Sequence, residues 1–337
     1  MGKLHTLIKI YLLITVLLTV LSLLKIYNYK SWLRENYAVS IGVAKDHPIR
    51  MTIDITTRNN KKYKSSSLYK DEFSRWGSSF SSSDAIKYLM LPDSLKLNWV
   101  SLRERKIYKG NFKFPAKIID SIFKYEKDKK KSDLDSYRNT VTYYFDFSIG
   151  IAPKGHVTIW LVGKDFQKEI AQFQAEEVPV FEDGDYRFTN DNMDELIEAF
   201  TKKPQNERLD SLLINKIPPE LAKWDDRIAK FNYYIITKNF PKGITNLTIN
   251  LFNGEKSIYN ITKNNKIKIT GNAPSFIKSN YYDEDKEIRI SLEDTIITHF
   301  KTQRKALQKK DTLVLLLAYK QETDSVNALL TTIAAMK

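Results

Sequence analysis

The chain lacks cysteine over all of its 337 residues. That absence excludes disulfides, a thiolate nucleophile, a cysteine zinc site and attachment to lipid through cysteine. The four histidines, His5, His47, His156 and His299, are too far apart in sequence to suggest shared metal ligation. Glycine is scarce at eleven residues, and the common phosphate-binding, dinucleotide-binding, serine-hydrolase and zinc-peptidase motifs are absent. The sequence therefore predicts no cofactor and no metal, and it offers no catalytic residue.

Acidic residues are missing from the first 30 positions, which carry four lysines. The formal net charge of +14 invites a nucleic-acid interpretation, because basic surfaces bind phosphate. Elsewhere, however, the positive charge occurs as short lysine-rich runs in expected loops, at 61–64 and 127–131. These runs fit solvated loops best, contact with anionic lipid headgroups next and nucleic acid least. The apolar content of 42% indicates a globular body rather than a disordered one.

A long apolar run occupies residues 7–27, and no charge falls between Ile10 and Leu24. A helix over this run would rise about 1.5 Å per residue to roughly 30 Å, which matches the hydrocarbon core of a bilayer. The alternatives are a cleaved signal peptide and a helix of the protein core. No small-x-small cleavage site follows Leu24, so we expect an uncleaved membrane anchor whose partner is the lipid bilayer.

Alternating apolar and polar residues dominate the rest of the chain, which is the signature of half-buried β-strands. The clearest examples lie at 51–56, 96–101, 157–162 and 247–252. Asn253-Gly254 predicts a type I′ hairpin turn, and Pro153-Lys154-Gly155 predicts a tight turn between two strands.

Three helices are predicted. The first begins at Pro115 and buries a stripe of Ile118, Ile119, Ile122 and Phe123. The second begins at Ser291 with Asp294 in a capping box, buries Phe300, and places His299 in the core at the position of Ile122. The third spans about 192–200 in an acidic connector.

The two halves of the body run through the same order of elements, with an offset of 177 between Phe123 and Phe300. We interpret this as a tandem duplication, against the alternative that short β patterns coincide. The predicted fold class is α+β, with antiparallel β-sheets that each carry a helix on one face. The expected boundaries are an anchor at 1–30, a first half at 31–180, a connector at 181–222 and a second half at 223–337.

A set of stretches in the body carries a family resemblance. They are Leu91-Pro92-Asp93 with Trp99-x-Ser101-x-x-Glu104-x-Lys106-x-Tyr108 and Pro115, then 150–157 with Trp160-Leu161, 173–176, Trp224-x-x-Arg227, 230–233 and 253–255. Together they resemble a bacterial envelope and lipoprotein family known as domain of unknown function 2931. The resemblance implies an envelope location, which suggests a single pass through the bacterial inner membrane. Members often attach through an N-terminal cysteine, which this chain lacks, so the apolar helix would replace that tether. No catalytic residue carries over.

Glu104, Tyr108, Lys154 and His156, all within the resembling stretches, are the candidate binding residues. Arg103, Arg105 and Lys106 flank Glu104 and favour an ionised carboxylate in a cross-strand ion pair. Contact with a ligand and catalysis are the alternatives for Glu104. His156, after the predicted turn, is expected to be exposed.

The acidic run at 182–185, with Asn190 to Asp194 downstream, could offer oxygen ligands to calcium. Its spacing does not match an EF-hand, and helix capping explains the downstream residues more simply. Trp99 and Trp160 are expected in the core.

Two functions stay open on these residues. The first is a non-catalytic module facing the periplasm that binds an unidentified protein partner, for example an immunity protein that masks an incoming toxin. The second is an envelope hydrolase that uses carboxylates in a cleft. The absence of any nucleophile-and-base pattern favours the binding module. Lysines lie on both sides of the span, so the positive-inside rule does not decide the membrane orientation. An exported body is the default for a chain that begins with an anchor.

The first test concerns the anchor. The full-length chain should stay in the membrane pellet after extraction with alkaline carbonate, because a span of this length is held by burial of its apolar side chains. A chain that starts at Lys30 should be soluble. Release of the full-length chain into the carbonate supernatant would contradict the assignment.

Overall fold

The computed structural model describes residues 2–29, 34–70, 76–77, 87–130, 145–163, 165–183, 186–202, 207–241, 243–262, 265–280, 287–292, 295–307, 311–323 and 325–334. An N-terminal helix, α1 (Gly2–Tyr29), precedes a β-rich body. Within α1, the span Leu7–Tyr27 has a mean hydropathy of 2.5 and is not buried against the body. The helix therefore has the length and polarity of a single membrane pass or a signal sequence.

The described residues of the first unit form ten strands and one helix. Its strands are β1 (Arg34–Val43), β2 (Ile49–Thr57), β3 (Lys62–Lys70), β4 (Lys87–Met90), β5 (Pro92–Ser101), β6 (Lys106–Lys113), β7 (Phe145–Ala152), β8 (His156–Val162), β9 (Gln167–Gln174) and the short β10 (Glu176–Val178), with helix α2 (Ala116–Lys130) between β6 and β7. Alternate side chains of β2 are fully buried, as its period-2 pattern predicts. The core joins both sheets of this unit to Ile119 and Phe123 of α2.

A connector links the two units. It contains β11 (Val180–Asp183), β12 (Tyr186–Thr189), α3 (Met193–Thr201), α4 (Glu207–Ile214) and α5 (Ala222–Arg227). Apolar side chains from β11, β12, α3 and α4 pack on Val100, Leu102 and Ile107 of the first unit. The helix predicted at 192–200 is thus present as α3.

The second unit contains β13 (Phe231–Lys238), β14 (Asn246–Leu251), β15 (Lys256–Asn260), β16 (Lys266–Gly271), β17 (Pro274–Asn280), β18 (Glu287–Ser291), α6 (Thr295–Ala306), β19 (Asp311–Lys320) and β20 (Ser325–Ala334). It has a separate core, in which Phe300 of α6 packs against Phe231 and Tyr233 with ring centroids 5.2 and 4.8 Å away.

The two units share one strand-pairing scheme. In the first unit, the hydrogen-bonded orders are β4-β1-β7-β8 and β3-β2-β5-β6. In the second unit, the orders are β16-β13-β19-β20 and β15-β14-β17-β18. Each strand of the second list occupies the place of its counterpart in the first, and α2 and α6 occupy the same place in chain order. This correspondence supports the predicted tandem arrangement, and the α+β class with several antiparallel sheets is confirmed.

Individual hydrogen bonds repeat as well. The buried Tyr37 hydroxyl donates to the Met90 carbonyl at 2.8 Å, and the buried Tyr233 hydroxyl donates to the Asn272 carbonyl at 3.0 Å. Met90 is the last residue of β4 and Asn272 directly follows β16, and each lies two residues before a proline that opens the next strand. A coincidence of short β patterns would not reproduce a buried tyrosine with the same acceptor position.

The turns after β2 and β14 also match. The Asn60 N–H donates to the Thr57 carbonyl, and the Gly254 N–H donates to the Leu251 carbonyl. Both donors have a positive φ, at 60° for Asn60 and 86° for Gly254. Asn253 does not have a positive φ, so the Asn253-Gly254 turn is a type I turn with a bulge and the predicted type I′ geometry is wrong.

Two sheets are mixed rather than purely antiparallel. β1 runs parallel to β7, and β13 runs parallel to β19. The strands at 37–57 and 231–252 exist as predicted, but consecutive strands there belong to different sheets instead of pairing with each other. The chain connects a parallel pair only through a long crossover, which in each unit includes the helix.

Several details of the predicted helices are wrong. Ser291 is the last residue of β18, and the helix begins only at Thr295. Asp294 lies outside the described residues. His299 is exposed rather than in the core, because Ile297 and Phe300 form the buried face of α6. Ile118 is likewise exposed, while Ile119 and Phe123 are buried as expected.

The units meet at a close backbone contact. A Cβ on Gly254 would lie 2.7 Å from the Gly77 Cα, so neither unit leaves room for a larger residue there. Trp160, buried as predicted along with Trp99, donates from Nε1 to the Asn253 carbonyl at 3.0 Å. The Trp76 ring packs edge-on against Trp160. The strand ladders also join here, through pairing of β15 with β9.

Paired substitutions test the repeat. Tyr37→Phe and Tyr233→Phe should each lower the free energy of unfolding by about 1 to 3 kcal/mol, because each leaves one buried carbonyl without its donor. Urea denaturation of both variants should show losses of similar size. A clear loss in one variant and none in the other would mean that the two hydroxyls are not equivalent.

Candidate functional site

Three tight turns converge at one end of the first unit. They join β1 to β2 at 44–48, β5 to β6 at 102–105 and β7 to β8 at 153–155. The Ala44 N–H donates to the Ile151 carbonyl at 3.0 Å, which holds the first and third turns side by side. The segment 217–227 of the connector lies against the same end, where Arg103 Nη2 donates to the Pro218 carbonyl at 2.9 Å.

Each of the three turns contains a residue other than glycine in the left-handed region. The φ angles are 56° for Asp46, 57° for Arg105 and 62° for Lys154. Such a conformation is uncommon for side chains with a Cβ, above all for long ones, and it persists only where surrounding contacts enforce it. Three such residues in neighbouring turns indicate that buried contacts fix the geometry of the turns.

The carboxylate of Glu104 provides that hold. Its side chain is 4% exposed. Oε1 accepts from the Lys154 N–H at 2.7 Å and from the Tyr108 hydroxyl at 3.2 Å. Oε2 accepts from the Ser101 hydroxyl at 3.0 Å and lies 3.3 Å from His47 Nε2. One buried carboxylate therefore ties all three turns together.

Glu104 is ionised, as expected, but for a different reason. Burial opposes its ionisation, yet the hydrogen bond and charge of His47, with the Lys154 N–H and the Ser101 hydroxyl, outweigh burial and lower the pKa of the Glu104 carboxyl. The flanking cations predicted to pair with it face elsewhere. Arg103 donates to backbone carbonyls, Arg105 pairs with Asp194 at 2.7 Å and Lys106 pairs with Glu177 at 2.7 Å.

The Ser101, His47 and Glu104 side chains do not form a nucleophilic triad. In a triad, one ring nitrogen of histidine faces the serine and the other faces the acid. Here the same atom, His47 Nε2, lies 3.1 Å from Ser101 Oγ and 3.3 Å from Glu104 Oε2. His47 Nδ1 has no hydrogen-bond partner among the described residues. Ser101 is fully buried, so no substrate reaches its hydroxyl.

Lys154 and His156 form the outer layer of the site. Lys154 Nζ donates to Asp225 Oδ2 at 2.7 Å, and His156 Nε2 lies 3.9 Å from Asp225 Oδ1. The His156 side chain is 19% exposed, so the prediction of an exposed histidine is wrong. Burial lowers the pKa of the His156 imidazole more than the nearby Asp225 carboxylate raises it. Because the pKa is lowered, the ring is neutral at pH 7.

The comparisons with known proteins bear directly on this end of the molecule. Residues 27–207 match the family described as "Protein of unknown function (DUF2931)". The chain belongs to the DUF2931 family. Comparisons with curated proteins and with solved structures found no match. The DUF2931 segment covers the first unit and most of the connector. It contains the Glu104 network, which consists of Glu104 and its four contacts His47, Ser101, Tyr108 and Lys154.

Two cavities adjoin the DUF2931 turns and share Arg103, Pro218 and Pro219. The smaller, of about 300 Å³, is lined by Glu104, Tyr108, Lys154 and Leu221. The larger, of about 470 Å³, is lined by His47, Arg208, Trp224 and Arg227. Together they form one groove between the DUF2931 unit and the segment 217–227. We call this feature the connector groove.

A pair of carboxylates, Glu169 and Glu255, lies between the DUF2931 unit and the second unit. Asn253 Nδ2 donates to Glu169 Oε2 and to Glu255 Oε2, each at 2.9 Å. Lys230 Nζ pairs with Glu169 Oε1 at 2.8 Å. Burial raises the pKa of the Glu255 carboxyl, and the Glu169 charge adds to this effect. Glu255 also lines a cavity of about 230 Å³.

Metal ligation finds little support in the described part of the DUF2931 protein. No group of three or more His, Asp or Glu side chains is close enough there to hold a metal ion. Of the acidic run considered for calcium, Gly184 and Asp185 lie outside the described residues, and Glu182 faces Arg187 across a hairpin.

The structure brings all four candidate binding residues into one cluster, although they span two distant turns. Glu104 and Tyr108 form its buried floor, and Lys154 and His156 form its wall. Sequence reasoning missed Ser101, His47 and Asp225. His47 had one usable signal, since His47-Pro48 falls between two strong strand patterns and therefore in a turn.

Acid stability tests the Glu104 network. Because the pKa of Glu104 is lowered on folding, its contribution to stability is present above the ordinary glutamate value of about 4.3 and is lost as the pH falls through the folded pKa. Glu104→Gln should cost about 1.5 to 3 kcal/mol of unfolding free energy at pH 7, the usual value of hydrogen bonds to a charged group. The loss should shrink below pH 4.

Glu177→Gln is the matched control, because Glu177 lines the same groove with a side chain that is 52% exposed. It should change stability by no more than about 0.5 kcal/mol. Equal effects of the two substitutions at pH 7 would show that the buried carboxylate does not hold the turns.

Proposed function

We propose that this protein is a membrane-anchored binding module that captures a protein partner in the connector groove and carries out no turnover. The apolar helix α1 tethers it, with a single pass of the bacterial inner membrane and the body on the periplasmic side. A partner-masking role of the immunity type, in which the groove covers an incoming toxin, is one concrete form of this function.

The observation that carries the proposal is the composition of the connector groove. Its lining combines apolar surface from Leu212, Ile217, Leu221 and Trp224 with a charged rim. Protein-binding sites commonly have such an apolar centre and polar edge. The basic rim residues are Lys45, Arg103, Lys106, Lys154, Arg208 and Arg227, and the acidic lining residues are Asp46, Glu104, Glu177 and Glu220.

The charge of the groove favours an acidic partner segment. Six basic side chains outnumber the four acidic lining residues together with Asp225, which pairs with Lys154, and Glu104 is withdrawn from the surface by its internal hydrogen bonds. Carboxylates on a partner would therefore meet a net positive rim. Electrostatic complementarity of this kind speeds association and orients the partner.

The absence of turnover rests on how the site's reactive groups are used. The Glu104 carboxylate accepts from protein donors on both oxygens and has a lowered pKa, whereas a general acid needs a raised one. Ser101 is buried and His47 is engaged through the wrong nitrogen for a triad. These groups support turn geometry rather than bond breaking.

A charge reversal at the groove rim tests the proposal. Lys45 is exposed and lines the larger cavity, so Lys45→Glu should leave folding unchanged. A photo-reactive residue placed at Leu221 in native membranes should capture the partner. Affinity for that captured partner should fall by at least about tenfold in Lys45→Glu, a loss of about 1.4 kcal/mol.

Lys96→Glu makes the same charge change at an exposed position of β5 outside the groove. It should keep the affinity of the unaltered chain. Equal affinities for all three chains would place the partner elsewhere and overturn the proposal.

An envelope hydrolase is the second candidate, and the Glu169–Glu255 pair is the observation that favours it. Glu255 combines a raised pKa with a position on a cavity, as a general acid requires. A Glu255→Gln chain that loses activity on an envelope substrate while it keeps partner affinity would favour the hydrolase. The hydrogen bonds of Asn253 to both carboxylates support the simpler role of a clasp between the units.

A further inference from the structure

The outer edge of β20 differs from the other sheet edges in the described part of the chain. An exposed edge strand invites pairing with another chain, and proteins normally protect it with charge, proline, a bulge or short length. The other edge strands carry such protection. β4 and β10 have four and three residues, β3 has Lys62, Lys64 and Lys70, β16 has Lys266 and Lys268, β18 has Glu287 and Arg289, and the β11–β12 hairpin has Glu182, Asp183 and Arg187.

β20 has none of these features. Its ten residues, SVNALLTTIA, include no charge and no proline. All ten pair with β19 in one continuous antiparallel register without a bulge. No strand is hydrogen-bonded to its other side among the described residues. β18 approaches β20 from the facing sheet, but the two exchange no ladder hydrogen bonds.

The equivalent strand of the first unit shows what kind of strand can pair with the outer edge of β20. β8 is the counterpart of β20 in the first unit. The outer edge of β8 is covered along its length by the antiparallel strand β9, from His156 opposite Gln174 to Val162 opposite Gln167. The fold therefore accommodates one more antiparallel strand at this place. In the second unit none of the described strands fills that place, and Leu329 beside it is 59% exposed.

We propose that two copies of this chain pair through their β20 strands, antiparallel about a two-fold axis, to form one continuous eight-stranded sheet. A two-fold axis perpendicular to the sheet makes two identical edges antiparallel, which is the orientation that β9 adopts on β8. Self-pairing of an edge that carries a charge can oppose like charges, whereas the uncharged β20 opposes none.

The faces of the sheet restrict the register. Directly opposed side chains of an antiparallel pair point to the same face. Val326 and Leu330 pack against the core of the second unit, so Leu329 lies on the other face. With the axis at Leu329, that side chain meets its own copy, and Leu330 opposes Ala328 of the partner subunit on the core side. Both core faces then continue across the dimer.

Cysteine cross-linking of the full-length chain tests the pairing. The natural sequence has no cysteine, so a single introduced thiol reports alone. Leu329→Cys in native membranes should give a covalent dimer with a short bis-maleimide. Ile214→Cys is the matched control, since Ile214 is 62% exposed on α4 and lies on no sheet edge. It should give no covalent dimer under the same treatment, although the chain still pairs through β20.

Charged substitutions at the two-fold axis provide a second test of the pairing. Leu329→Lys and Leu329→Glu should each fold, because the side chain is exposed, and each should weaken dimerisation of the full-length chain by about fivefold through like-charge repulsion. A mixture of the two variants with different affinity tags should recover dimers that contain one chain of each kind.

Three results would overturn the proposal. One is a full-length chain that stays monomeric, with Leu329→Cys no more reactive towards itself than Ile214→Cys. Another is a dimer that neither charge variant weakens. The third is cross-linking of Leu329→Cys to a different polypeptide, which would mean that a foreign strand occupies this edge. Partner binding in the connector groove is measured separately and does not affect any of these outcomes.

Discussion

The end of the first unit depends on a single buried carboxylate. Removing Glu104 from water is costly unless each oxygen is hydrogen-bonded. The groups that satisfy it are His47 and Lys154, from the two other turns, and Ser101 and Tyr108, from the strands on either side of its own turn. Satisfying the charge therefore fixes the turns relative to one another. The left-handed backbone of Lys154 belongs to a type I′ turn, in which Lys154 and Gly155 both have a positive φ and the His156 N–H donates to the Pro153 carbonyl. Glu104 binds the Lys154 N–H of this turn. The turns line one side of the connector groove, so the shape of that side depends on this arrangement.

The repeat explains why one unit carries this groove. Both units keep the same strand order and the same buried tyrosine bond, which are requirements of the core. The apolar side chains of β11, β12, α3 and α4 pack on the first unit, through Val100, Leu102 and Ile107, and the segment 217–227 that follows them lines the groove. That segment also contacts the second unit, where Asn272 Nδ2 donates to the Asp226 and Arg227 carbonyls. The family match also ends at residue 207, before the second unit begins. The two units share the strand order, and the family match covers the first unit but not the second.

Local features were predictable from the sequence, and long-range partners were not. Strand periodicity located β2, β5, β8 and β14, and an uncharged apolar run located α1, because both signals lie within one segment. The partner of Glu104 is His47, 57 residues away in sequence, and only the pairing of β2 with β5 brings them together. His299 was misassigned because a helical stripe leaves a boundary position undecided, and packing around Phe300 turns it to solvent.

The central claim is that a protein partner occupies the connector groove, and hydrogen exchange of the membrane-bound, full-length chain tests it most directly. Backbone amides should be compared with and without the captured partner. The account predicts slower exchange in the segments 44–48 and 217–227, which line the groove, and unchanged exchange in β16 and β19 of the second unit. Protection confined to the second unit, or none in the groove, would contradict it.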